Sequence, residues 1–190
     1  MKDRQQESIL MTPSEAFNIF YFACNVHASC ISPFIRKDFG AQHHRNYGLF
    51  TTILLLVVAG EDRSGLGTLY FFAWLAAVIF RRIETFMLMK KGTIIHSQYA
   101  GYPWLAMRFP FVRKESFAMG IIEPEMCLAT GIALLPLSEP LGLLFMGGFI
   151  SFLSRNGIER DVVKKRIQAM HDARIEQEYY SRLFRDPTEE

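Results

Sequence analysis

Four apolar runs separated by polar junctions organise this chain: Tyr47 to Gly60, Leu66 to Phe80, Phe117 to Leu137 and Pro140 to Leu153. Runs one and two are joined by the short polar turn Glu61 to Gly65, and runs three and four by the turn Leu137 to Pro140. The pattern predicts an all-α integral membrane protein with four transmembrane helices arranged as two hairpins. A soluble bundle of four buried helices is the competing reading, because the first, second and fourth runs fall short of the usual twenty-residue span. Short spans are extended by flanking polar side chains that snorkel, or are matched by a locally thin bilayer, so their length does not exclude crossing. Ala73 with Ala77, Ala129 with Ala133, and Gly147 with Ser151 lie four residues apart and offer small faces for helix contact.

The layout has three parts: a cytoplasmic N-terminal segment, 1–46, with an interfacial helix; a membrane domain, 47–154, that holds the four runs and an inner-face loop; and a cytoplasmic helical tail, 155–190. In the first, Thr12, Pro13, Ser14 and Glu15 form a capping-box pattern that starts a helix. The apolar and aromatic stretch that follows is interrupted by Asn18, Asn25 and His27, and is expected to end before Pro33. It reads as one helix packed on the inner face of the bundle or lying at the lipid interface, and a partial fifth span is the alternative. The inner-face loop 92–116 carries Tyr99, Tyr102, Trp104, Phe109 and Phe111, while Gly101, Pro103 and Pro110 discourage a continuous helix. The segment from residue 155 onward is charged and helix-permissive, with a short apolar stripe at Val163, Ile167 and Met170. It predicts a C-terminal cytoplasmic helix packed on the membrane domain or on a partner.

Charge fixes the expected orientation. Of 21 Lys and Arg, only Arg63 lies in a turn between paired runs, and the others fall in residues 1–46, 81–116 and 155–190. Arg81, Arg82, Lys90 and Lys91 flank a span end, where the positive-inside rule is strongest. Both termini are therefore expected in the cytoplasm. The Met1 to Glu15 segment is polar and mixed in charge, so no cleavable signal is expected, and without a transit-like basic start a bacterial inner membrane is the expected location. The net charge of +2 gives no basis for nucleic-acid binding, and local basic clusters match anionic lipid instead. Cys24, Cys30 and Cys127 contain no CxxC pair, and the first two lie on the reducing side, which disfavours a disulfide.

Chemistry is sparse. Glu123, Pro124 and Glu125 interrupt the third run, and a carboxylate in hydrocarbon is costly unless paired, hydrated or neutralised. Glu123 and Glu125 are thus the candidates for an ion or proton path, with pairing inside or between subunits as the plainer role. Glu84, His96, Glu123 and Glu125, with His27, His43 or His44, are the residue types that bind metal or pass protons, but no tight HExxH spacing brings them together. No phosphate-binding loop, dinucleotide turn or nucleophile elbow occurs, and nothing in the chain requires a cofactor or names a catalytic or metal residue. His96, Tyr99, Tyr102, Trp104 and Arg108 are the candidates for partner binding on the inner face.

These features favour a structural or scaffolding subunit of a multi-component membrane assembly, envelope-associated or secretion-associated. Its expected partners are other membrane subunits and anionic lipids, in a hetero-oligomer rather than a homo-oligomer. The alternatives are an oligomeric transporter or channel using Glu123 or Glu125, and a membrane-embedded enzyme built on dispersed His and Glu residues.

Overall fold

The computed structural model describes residues 12–40, 43–90, 99 and 101–185, and among them the protein is all-helical, without a strand. Helices α1 (Pro13–Ile35), α2 (His43–Glu61) and α3 (Leu66–Lys90) precede an irregular segment with a 3-10 turn at Ala106–Arg108. A short α4 (Glu115–Phe117), a π segment (Ala118–Ile122) and α5 (Glu123–Leu134) then form one helical run, followed by α6 (Glu139–Arg185). The chain divides into two compact units, Met1–Arg155 and Asn156–Glu190.

Among the described residues, three helices are long and apolar enough to cross a membrane: Leu66–Lys90 with 25 residues, Glu115–Leu134 with 20, and Glu139–Arg182 with 44. The second apolar run is therefore no longer short. It continues as helix through Arg81 and Arg82 to Lys90, about 37 Å at the usual rise per residue. Tyr47–Glu61 is a shorter apolar helix. The set is consistent with a multi-pass membrane protein. Exposed Leu69, Phe72, Ile79 and Phe80 on α3, and Leu49, Ile53 and Leu56 on α2, are the surface such a protein presents to lipid.

The first helix is built on its predicted cap. Thr12 Oγ1 accepts from the Glu15 amide, and the Glu15 carboxylate accepts from the Thr12 amide at 2.9 Å. The helix does not stop before Pro33, however, but runs two residues past it to Ile35. The reason lies in the carbonyl that proline leaves without a helical donor. Pro33 has no N–H to give to Ser29, four residues earlier, and Trp74 Nε1 of α3 donates to that Ser29 carbonyl at 3.0 Å. Tyr70 donates to the Cys30 carbonyl at 2.9 Å and Arg81 Nε to the Pro33 carbonyl at 3.1 Å. Three side chains of one helix thus satisfy the frayed end of another, and the guanidinium also meets the negative end of its dipole.

The two halves of α1 differ sharply. Phe17, Ile19 and Phe20 are exposed, whereas Ala28, Cys30, Ile31 and Ile35 join Leu55, Trp74, Cys127, Leu144 and Phe152 in the main core. Hydrophobicity drives little association between helices in lipid, so close approach and hydrogen bonds carry the packing. A Cβ on Gly147 would sit 2.5 Å from His27 Cε1, one on Gly148 2.5 Å from Ile31 Cδ1, and one on Gly131 2.8 Å from the Met146 amide. Gly147 and Ser151 do form a contact face, against α1. Ala73, Ala129 and Ala133 instead lie exposed.

In the second unit every described side chain from Arg160 to Arg182 is exposed, including the stripe Val163, Ile167 and Met170. Arg174 and Glu178 pair at 3.2 Å one turn apart, a surface contact worth a few tenths of a kcal/mol.

Candidate functional site

Glu123 is completely buried, and its partner is Arg36, equally buried and 87 positions away. Arg36 Nε donates to both carboxylate oxygens, at 2.9 and 3.0 Å, and its Nη2 donates to Oε2 as well. The guanidinium also lies over the Phe152 ring, 5.3 Å from its centroid. Planar, multidentate recognition of this kind is what lets a charge pair persist in a low-dielectric interior.

The backbone around Glu123 is shaped for that contact. Pro124 cannot donate to Gly120, and the chain meets the defect with five residues of π-helix, Ala118–Ile122. The Glu123 amide reaches back five residues to the Ala118 carbonyl. A π turn adds a residue without adding a turn, and so re-aims the side chains after it. Glu123, Pro124, Cys127 and Gly131 consequently share the buried face of α5.

Glu125 faces the other way. It is exposed on the same face as Ile121, Ala129 and Ile132, near the middle of the 20-residue apolar run. The two carboxylates do not share one site: one is spent on Arg36 and the other projects outward.

Of the residues expected to bind partners, His96 lies outside the described residues. Tyr99 donates its hydroxyl to Glu115 Oε1 at 2.7 Å, and its carbonyl accepts from the Gly40 amide at 2.9 Å. Burial, and then the neighbouring Glu115 carboxylate, push the Tyr99 hydroxyl well above the usual phenol range. Tyr102 forms a single antiparallel bridge with Lys37, whose ammonium lies 5.7 Å from the tyrosine ring centroid. Gly101 makes the bridge possible with φ of +90°, and a Cβ there would meet Phe39 at 2.9 Å. Trp104 is half-buried beside it, and its Nε1 is buried without a hydrogen-bond partner among the described residues. Arg108 is exposed, with Phe109 and Phe111. Tyr99 and Tyr102 therefore fasten the loop to the segment after α1, and Arg108 and its aromatic neighbours form the outward surface. A small core of Ala106, Val112 and Ala118 holds that surface in shape.

Of the dispersed His and Glu residues, the side chains of His43 and His44, like His96, lie outside the described residues. Glu84 pairs with Arg81 at 2.8 Å, and His27 Nδ1 lies 2.7 Å from Ser151 Oγ. Among the described residues no group of three or more His, Cys, Asp or Glu is placed to hold a metal ion. At the opposite end of the unit, Asp62 accepts from the Gly67 amide and from the Ser138 hydroxyl, each at 2.7 Å, joining the 62–65 turn to the 135–138 turn. These bonds, the Gly67 amide foremost, hold the Asp62 carboxyl down at about 2.

Sequence reasoning missed the Arg36 partner of Glu123 and the His27 to Ser151 bond. A signal existed for the first, since an acid in an apolar run demands a cation and RKDFG is the basic junction just ahead of the first span. No pattern in the sequence pointed to the second. The chain matches no protein family, no curated protein and no solved structure with which it was compared.

Proposed function

We propose that this chain is a structural or scaffolding subunit of a multi-component membrane assembly, with four spans in two hairpins and both termini on the cytoplasmic side of a bacterial inner membrane. In this reading α2 is the fourth span, since its 19 residues reach about 28 Å, close to the hydrocarbon thickness. An even number of spans puts the ends on one side, and Arg63 as the lone basic residue in the two connecting turns makes that side cytoplasmic.

The observation that carries the assembly reading is the outward carboxylate of Glu125 on an apolar face of a candidate span. Facing lipid alone, a carboxylate at that height is costly. A neighbouring helix that supplies a cation or a hydrogen-bond donor removes the cost, and Ala129 and Ala133 on the exposed side of α5 let its backbone come close. Arg108, Phe109 and Phe111 add a second outward surface for a partner.

Native mass spectrometry after mild extraction from the source membrane tests this. Recovery with several different subunits is expected. Recovery as a pure homo-oligomer overturns the hetero-assembly and favours the channel reading, with Glu125 lining a path between copies. Flux lost in Glu125→Gln at unchanged assembly then identifies that channel.

A further inference from the structure

We propose that a cavity beside the last third of α3 holds the phosphate group of a membrane phospholipid, with Arg82 as its principal ligand. The cavity measures about 210 Å³ and lies between Phe39 and Gly40, after α1, and Arg81, Arg82, Phe86 and Met89 of α3. Apart from Gly40, its lining residues are of two kinds: the polar Arg81, Arg82 and Thr85, and the apolar Phe39, Phe86 and Met89.

The two arginines are in different electrostatic states. Arg81 commits Nε to the Pro33 carbonyl and Nη1 to Glu84, so its charge is already matched. Arg82 is exposed and makes no ion pair among the described residues. Arg81 and Glu84 offset each other, which leaves Arg82 as the uncommitted guanidinium at the cavity, and the Lys90 ammonium, 4.8 Å from the centroid of the Phe86 ring, adds to the positive field that an anionic phosphodiester would meet. Thr85 is not free to add a donor, because its hydroxyl bonds the Phe39 and Arg81 carbonyls.

Position on the helix argues for a lipid source. Arg82 is embedded in exposed apolar surface, with Ile79 and Phe80 before it and Ile83, Phe86, Met87 and Met89 after it. An arginine in such surroundings draws a headgroup toward itself while its stem lies along apolar neighbours. The exposed side chains toward Met89 then offer a bed for the glycerol and acyl portions. Free phosphate has nothing to place against Phe39, Phe86 and Met89.

The inference rests on the membrane reading of α3 but not on the presence of partner subunits, so its test uses the purified full chain. Thermal melting in a neutral detergent is compared with added dioctanoyl phosphatidylglycerol, with inorganic phosphate, and with dioctanoylglycerol, which lacks the phosphate. The phospholipid is expected to raise the melting temperature and the other two to leave it unchanged. In Arg82→Gln the phospholipid concentration needed should rise about tenfold, the usual size of one lost charge-assisted hydrogen bond. Arg82→Lys should recover part of that loss. Because Arg82 is exposed and makes no ion pair among the described residues, the variants are expected to melt like the parent chain when no lipid is added. Equal stabilisation by inorganic phosphate would overturn the lipid assignment in favour of a soluble anion. An undiminished response in Arg82→Gln, or no response of the parent chain to the phospholipid, overturns the site.

Discussion

Glu123 and Glu125 stand two positions apart on one helix and meet opposite surroundings. The first is completely buried under Arg36 and Phe152, and the second is exposed among Ile121, Ala129 and Ile132. Residue type and sequence neighbourhood are nearly the same, so the difference comes from the helical face alone, and that face is set by the π segment and Pro124. An acid in an apolar run is thus not one signal but two. Turned inward, it organises the fold of its own chain. Turned outward, it meets no cation among the described residues, and in the proposed assembly a neighbouring subunit supplies one.

The largest expected effect lies on the inward acid. Glu123→Ala leaves the Arg36 guanidinium buried without its counter-ion, and should cost about 3–5 kcal/mol of stability, read as a lowered melting temperature in detergent. Arg36→Met combined with Glu123→Leu should recover most of that loss, because an apolar pair of similar volume removes the desolvation cost along with the attraction. A double variant as unstable as Glu123→Ala would show that the pair holds more than its own two charges.

Next in size is the contact that lets α1 approach α6. Gly147→Ala puts a methyl 2.5 Å from the His27 ring, so helix or imidazole must shift, and the expected cost is about 1–3 kcal/mol in the same melting assay. Gly48→Ala, with nothing within 4 Å of its Cβ and inside helix α2, is the control expected to melt no lower than the parent chain, since alanine is the better helix former.

The smallest effect concerns the far end, where Asp62 ties the two connecting turns. Its folded-state carboxyl is held below its ordinary value, so the stability it adds is fully present above pH about 4 and is lost as pH falls through about 2. Asp62→Asn should therefore melt below the parent chain at neutral pH and converge with it toward pH 2. A difference that persists unchanged to pH 2 would show that the carboxylate charge is not what holds the turns together. Asp62 is only half-buried, so solvent screening keeps this effect modest.

Much of the architecture was legible because helices declare themselves locally. The Thr12 to Glu15 cap, the apolar runs and the short turns each depend on residues close together in sequence. The end of α1 was misread for the complementary reason: Pro33 forbids one backbone bond, and its replacement by Trp74 comes from 41 residues further on. The same holds for the acids, since the sequence marks Glu123 and Glu125 equally and only the π turn separates them. The aromatic loop divides in a like manner. Tyr99 and Tyr102 bind back to their own chain, through contacts with Glu115, Gly40 and Lys37 that periodicity does not encode.

The central claim is that the inward acid serves the fold and the outward acid serves an assembly. The most direct measurement follows Glu123→Gln and Glu125→Gln in parallel, recording for each the melting temperature of the purified chain and the size of the complex extracted from the native membrane. Glu123→Gln is predicted to lower the melting temperature strongly. Glu125→Gln is predicted to melt like the parent chain yet to be recovered without its partner subunits. A Glu125→Gln chain that retains the full complex contradicts the account, as does one that melts as low as Glu123→Gln.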